Sequence, residues 1–310
     1  MTGQDNYNGN RRLPGWLKMK LPMGYKYSKV KNLTLRHNLH TICSSGNCPN
    51  IGECWNNGTA TFMILGEICT RNCRFCGVKT GKPEPADQDE PLRLAESIRM
   101  LGLKHCVITS VDRDDLPDGG SAIWAETIRC VRELNPGTTI EVLIPDFNGQ
   151  NELIQKIIDA RPEVISHNLE TVRRLTPEIR TRARYNISLK VISQVAASGI
   201  TSKSGIMLGL GEAEKEILET MDDLLEAGCH VLTIGQYLAP SKGHMQVVDY
   251  ISPPKFDEYG RIALKKGFMF VESSPLVRSS YHAEKHAGTK ENRNKTKYVN
   301  QNQVSGSKIR

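Results

Sequence analysis

The stretch "TATFMILGEICTRNCRFC", residues 59–76, decides how the chain folds and what it can hold. Its first eight residues form a near-continuous apolar run, the pattern of a strand buried on both faces of a parallel sheet. The run ends at Gly66, and Cys69, Cys73 and Cys76 follow with the spacing C-x3-C-x2-C. Three thiols are one too few for a tetrahedral zinc site. A zinc ribbon would need a second Cys-x2-Cys farther along, and the sequence has none. A redox Cys-x2-Cys leaves Cys69 unexplained. Three thiolates on one short loop suit a [4Fe–4S] cube, in which each caps one iron and the fourth iron stays open. An open iron can chelate a small ligand by its amine and carboxylate. Reductive cleavage of S-adenosylmethionine is chemistry that needs such a site.

Outward from this segment the pattern alternates. "PLRLAESIRMLG" (91–102) reads as an amphipathic helix, "KHCVITS" (104–110) as a strand and "SAIWAETIRCVRELN" (121–135) as a helix. "TIEVLI" (139–144), "EVISHN" (163–168), "KSGIMLGL" (203–210) and "HVLTIGQ" (230–236) continue the strands, with helical stretches near 150–160, 187–199, 212–227 and 254–266. Six strand–helix units imply an α/β fold with a parallel sheet and right-handed crossovers. A partial (β/α)6 barrel is favoured over a doubly wound sheet. Polar residues sit at strand C-terminal ends (Glu67, Ser110, Asn168, Gln236), the face that carries a barrel's active site. Residues 1–58 and 271–310 lack this rhythm and are expected to cover the open side. The expected division is an N-terminal extension (1–58), the barrel (59–270), a C-terminal segment (271–284) and a polar basic tail (285–310).

The composition of the 310 residues, 38% hydrophobic and 24% charged, is that of a globular protein. No apolar run approaches the ~20 residues of a membrane span, and no hydrophobic leader is visible at the start. Nine cysteines without such a leader point to a reducing, cytoplasmic setting. Six of them crowd between Cys43 and Cys76, whereas Cys106, Cys130 and Cys229 read as small buried hydrophobes. The net charge of +7 is uneven: residues 1–42 hold eight Lys/Arg and one acid, and residues 283–310 hold seven and two. No aromatic-interleaved basic motif accompanies these ends, so nucleic acid is not the expected partner.

The Cys69 triplet behind the first strand, with Arg71, Asn72, Arg74 and Phe75 between its thiols, resembles the radical S-adenosylmethionine (SAM) superfamily. A second triplet, "CSSGNCPNIGEC", holds Cys43, Cys48 and Cys54. With it the sequence resembles the lipoyl synthases, from "RRLPGWLKMKLP" (11–22) to "VRSSYHAE" (277–284). The motifs that carry the likeness include "TSVDRDDLPDGGS" (109–121), "SHNLETV" (166–172), "SKSGIMLGLGE" (202–212), "LTIGQYLAPS" (232–241) and "RSSY" (278–281).

The resemblance implies two [4Fe–4S] clusters and S-adenosylmethionine as cofactors. Cys69, Cys73 and Cys76 would hold the cluster that cleaves S-adenosylmethionine. Cys43, Cys48, Cys54 and Ser280 would hold an auxiliary cluster that donates sulfur to C6 and C8 of a protein-bound octanoyl-lysine. A serine oxygen is a harder, weaker partner for iron than a thiolate, which suits a cluster that is dismantled. Arg278 is expected beside that cluster or in a salt bridge. Ser110, Arg113, Asn168 and Glu170 are expected around S-adenosylmethionine, and the two glycines of "LGLGE" (208–212) near its adenine. Gln236 and Tyr237 read equally as channel residues or as buried hydrogen-bonding groups, and His167 as structural. Asp118 reads as the cap of the helix at 121–135.

The implied partners are octanoylated carrier domains: lipoyl domains of 2-oxoacid dehydrogenase complexes or the glycine cleavage H protein. An electron donor such as flavodoxin or ferredoxin completes the set, and a monomer is the default. The chain departs from the family at Arg173 and Asp249, where many members have proline and arginine. A radical SAM methylthiotransferase and a non-enzymatic iron–sulfur or zinc scaffold are the competing readings.

Overall fold

The computed structural model describes residues 13–17, 24–37, 39–46, 48–56 and 59–285. Its main sheet has eight strands in the order β1-β2-β5-β6-β7-β8-β9-β10. These are β1 (His40–Thr41), β2 (Thr61–Ile64), β5 (His105–Ser110), β6 (Thr139–Leu143), β7 (Val164–Ser166), β8 (Thr201–Leu208), β9 (Val231–Gln236) and β10 (Phe270–Ser273). From β2 to β10 every neighbouring pair is parallel, and only β1 runs antiparallel, on the outer edge of β2. The order is linear, so the sheet is a partial, open barrel. The short strands β3 (Ile68–Cys69) and β4 (Lys79–Thr80) pair separately and brace the cysteine loop.

The helices on the outside are α4 (Glu90–Leu101), α5 (Ser121–Leu134), α6 (Asn151–Asp159), α7 (Thr176–Ile179), α8 (Tyr185–Ala197), α9 (Glu214–Glu226) and α10 (Pro253–Lys266). Their apolar stripes face the sheet: α5 buries Ile123, Trp124, Thr127, Ile128 and Val131 at helical spacing. α4 carries Pro91 in its first turn and stops at Gly102 in the left-handed conformation (φ 64°). The N-terminal helices α1 (Tyr25–Arg36), α2 (Ile42–Ser45) and α3 (Ile51–Asn56) pack into the core of the barrel's first half.

The six expected strands and six expected helices all form, within a few residues of their expected bounds. Two differences have physical reasons. A seventh parallel strand, β10, lies beyond the expected barrel boundary at 270, and it is half-buried, so no continuous apolar run marks it. Glu67 is exposed and pairs with Lys79 at 3.4 Å, away from the barrel mouth, because β2 ends at Ile64 and the chain has already turned. The expected tail at 286–310 lies outside the described residues.

Inside the barrel, Lys203 of β8 and Glu141 of β6 form an ion pair at 2.7 Å with both side chains almost wholly buried. The lower barrel is therefore filled by charge as well as by hydrocarbon. The main cavity, of about 1390 Å³, opens at the C-terminal strand ends, where a barrel carries its site.

Candidate active site

The cysteine loop hangs from β2 and is tied to three neighbouring loops. Thr70 donates its N–H to Asp112, Arg74 to Ile179, and Met245 to Arg74. Arg71 is the buried anchor. Its guanidinium forks onto Asp114 at 2.8 Å through both Nε and Nη2, and reaches Asp146 at 2.8 Å and Asp112 at 3.3 Å. Burial pushes the Asp146 carboxyl up, but hydrogen bonding and charge from Arg71 outweigh it and hold it at about 2. The sequence placed Arg71 in the loop without a role; the acidic residues after two different strands, Asp112 and Asp114 after β5 and Asp146 after β6, were its only signal.

Cys69, Cys73 and Cys76 line the cavity together. The Cys69 sulfur accepts N–H groups from Arg71 at 3.4 Å and Asp112 at 3.3 Å. Burial raises the Cys73 thiol to about 12 and the Cys76 thiol to about 11, and each is raised further by neighbouring cysteines. Metal binding would therefore release protons from them. Among the described residues no three His, Cys, Asp or Glu side chains converge on a point suited to a single metal ion. A cube places one iron under each thiolate and does not need that convergence.

Ser110, Asn168 and Glu170 line the same cavity. Ser110 Oγ and Asn168 Oδ1 are buried there without a partner, orphans of the kind a polar ligand satisfies. Glu170 takes a left-handed backbone (φ 69°) that non-glycine residues rarely adopt. It is held there by bonds to Gly205 and Met207 of β8, and its carboxylate accepts from Asn168 Nδ2 at 3.1 Å. Burial raises its pKa. Arg113 does not belong to this lining. It donates to the carbonyls of Leu65 and Glu84 and pairs with Asp115, so its guanidinium braces the outside of the loop.

Three other expectations resolve toward structure. His167 donates from Nδ1 to the Ile144 carbonyl at 2.8 Å, and Ser188, itself bonded by Arg180, faces Nε2 at 2.9 Å. That leaves a neutral imidazole whose pKa burial lowers to about 4. Gln236 is saturated by Leu208, Tyr237, Asp249 and Ile251, and the Tyr237 hydroxyl donates to Met245. Both still face the cavity, whereas Gly209 and Gly211 do not. Asp118 does cap α5, accepting from Gly120 and Ala122.

The second triplet forms its own pocket. Cys43, Cys48, Cys54 and Ser280 line it with Thr61, His105 and Arg278. Residues far apart in sequence clamp it shut: Asn50 donates to Leu276 at 2.7 Å, Tyr281 to Glu53 at 3.2 Å, and Thr61 to Ser280 at 2.8 Å. Burial raises Cys48 to about 11 and Cys54 to about 12, with Cys43 adding to both. Arg278 is a half-buried cation with no carboxylate partner among the described residues; it sits beside Cys48 and lines both pockets. The Trp55 indole N–H faces the Cys43 thiol, and His105 Nε2 is buried without a partner at this site. An indole N–H and a buried imidazole beside three thiols and a hydroxyl fit a sulfide-bearing cluster. The free void between these side chains is about 20 Å³.

Two profiles match the sequence: the radical SAM superfamily over residues 63–224, and the N-terminal domain of lipoyl synthase over residues 3–48. A lipoyl synthase of Parabacteroides distasonis is 58% identical over 275 residues, covering 89% of this chain and 98% of the relative. The chain belongs to the lipoyl synthase family. Lipoyl synthases of Phocaeicola vulgatus (61% over 273 residues; 88% and 96% covered) and Treponema denticola (60% over 277; 89% and 96%) agree. Among solved structures, a methylornithine synthase superposes with TM-score 0.54 at 13% identity, covering 80% of this chain and 76% of its own. SuiB of Streptococcus suis bound to its precursor peptide gives 0.54 at 12%, covering 79% and 52%. These structural likenesses establish the partial-barrel fold. As a lipoyl synthase the protein is an enzyme of the radical SAM superfamily, a family that implies S-adenosylmethionine and iron–sulfur clusters. The methylthiotransferase and scaffold readings find no support. Among the described residues no helix is long and apolar enough to cross a membrane.

Proposed function

We propose that the two cysteine triplets hold two [4Fe–4S] clusters with separate duties around one substrate channel. Cys69, Cys73 and Cys76 serve the S-adenosylmethionine cluster; Cys43, Cys48, Cys54 and Ser280 serve the auxiliary one. When bound, the first cluster supplies the electron that cleaves S-adenosylmethionine, and the second supplies the two sulfurs added at C6 and C8 of an octanoyl-lysine. The observation that carries this reading is Arg278, which lines the large cavity and the small pocket alike. The two triplets therefore address one space.

The chain's own residues divide the work. Arg71 fixes the first loop to the loops after β5 and β6. Ser110, Asn168 and Glu170 offer unpaired or acceptor oxygens to the polar parts of S-adenosylmethionine. The half-buried guanidinium of Arg278 offsets negative charge next to Cys48. Apolar lining from Ile206, Leu143 and Val277 suits an octanoyl chain. The substrate is an octanoylated carrier domain, either a lipoyl domain or the glycine cleavage H protein, and flavodoxin or ferredoxin supplies electrons. Acidic carriers would be steered by the basic residues of 1–42. A reducing cytoplasm suits nine free cysteines.

Anaerobic turnover with reductant, S-adenosylmethionine and an octanoylated peptide tests the reading. Thiolated peptide together with 5′-deoxyadenosine is the expected product pair. Formation of 5′-deoxyadenosine without thiolated peptide discards the sulfur-insertion assignment.

A further inference from the structure

The auxiliary pocket has one hydroxyl whose position the thiols and Ser280 do not explain. Thr61 opens β2, is buried, and pairs in the sheet with Val107 of β5, so its backbone cannot drift. Its Oγ1 donates to Ser280 Oγ at 2.8 Å across 219 residues of sequence. It lines one pocket with Cys43 and Ser280. Thr61 therefore sits between the far ligand of the site and the first cysteine. The neighbouring hydroxyl, Thr59, is already committed to the Cys54 carbonyl at 3.0 Å.

We propose that Thr61 is a positioning residue for the auxiliary site, its hydroxyl hydrogen bond holding the Ser280 oxygen on the cysteine triplet. The proposal rests on the reading of Ser280 as the fourth auxiliary ligand. A hydroxyl has one proton to donate, and a serine oxygen that has lost its own proton to bind iron can only accept. Coordination therefore fixes the direction of this bond and makes it charge-assisted, the stronger class. The barrel strand holds the donor rigidly, while Ser280 lies on a segment of turns (Tyr281 N–H to Arg278, Val277 N–H to Ser274) with fewer restraints. Thr61 supplies the rigidity that the serine segment lacks.

The test measures iron release to a chelator from the anaerobically reconstituted full-length protein, without S-adenosylmethionine or carrier, following iron and sulfide per chain. Ser280→Ala should release the auxiliary iron faster than the parent while the Cys69 cluster keeps its own iron. Thr61→Val should also release it faster, on the order of tenfold, the scale of one hydrogen bond to a charged group. Thr61→Ser, which keeps the hydroxyl, should stay within about twofold of the parent, well inside that difference. In a Ser280→Ala background Thr61→Val should add nothing, because the two act on one bond. A Thr61→Val rate equal to the parent's, or an undiminished effect in the Ser280→Ala background, overturns the positioning role. If Thr61→Val does not fold, Thr61→Ser decides: a fast release with the hydroxyl retained also overturns it. Ser280→Ala releasing no faster than the parent refutes instead the ligand assignment beneath it.

Discussion

Gly235 of β9 lies against the backbone of Val277, just before the RSSY segment, and a single methyl group there should push that segment off the barrel. A Cβ at this position would stand 2.1 Å from the Val277 carbonyl oxygen and 3.1 Å from its carbon. Real Cβ atoms essentially never approach within 3.0 Å, so one side must retreat by roughly 1 Å. The strand cannot: β9 is paired on one side with β8, Met207 opposite Gly235, and on the other with β10. The yielding part is the segment 274–281, whose successive turns make it move as a unit. The Thr61–Ser280 bond at 2.8 Å and the Asn50–Leu276 bond at 2.7 Å would then pass out of hydrogen-bonding range. Gly235→Ala should cost about 1–3 kcal/mol of stability, the usual range for overpacking. It should also lower iron in the reconstituted protein from about eight toward about four per chain, since each cube holds four and only the auxiliary one depends on this segment. Anaerobic iron and sulfide analysis, beside thermal unfolding, measures both. A Gly235→Ala protein with about eight irons and an unchanged melting temperature refutes the reasoning.

The buried Lys203–Glu141 pair gives a second expectation. Lys203→Met strands a buried carboxylate and should cost ~3–5 kcal/mol, whereas Lys203→Met with Glu141→Leu should recover most of it; urea unfolding of both decides. Acid sensitivity should come partly from His167. Its folded pKa, about 4, lies below the ordinary 6.5, so the unfolded chain binds more protons between these values. This contribution is complete above pH 6.5 and lost as the pH falls to about 4, at most roughly 3 kcal/mol. His167→Gln should flatten the urea midpoint against pH across that window, and an unchanged slope counts against it. Arg71→Lys keeps the charge but loses the fork onto Asp114; it should deplete the Cys69 cluster selectively and leave the auxiliary iron in place. Cluster-resolved iron spectroscopy checks this, and equal loss from both sites contradicts it.

Much of this was legible in the sequence because it is local. Strands β2, β5, β6, β7, β8 and β9 are short apolar runs, and α4, α5 and α9 carry helical apolar spacing, patterns written within a dozen residues. The thiol triplets were legible for the same reason, since each spans one loop. Glu170 was readable as a polar group just past a strand end, but its left-handed backbone, imposed by β8, was not. Arg113 shows the converse failure. It lies at the correct barrel face in sequence, yet the fold turns its guanidinium onto Leu65 and Glu84, outside the cavity.

The sequence by itself determined the α/β repeat, the two incomplete thiol sets and the family. Tertiary structure alone decided what braces each set: Arg71 drawing together Asp112, Asp114 and Asp146 from two loops, and Thr61 brought against Ser280. Periodicity and spacing record a residue's relation to neighbours a few positions away. A partner 219 residues distant leaves no such trace, because its approach depends on how the whole sheet stacks and on a bare glycine at Gly235 that lets the last segment close.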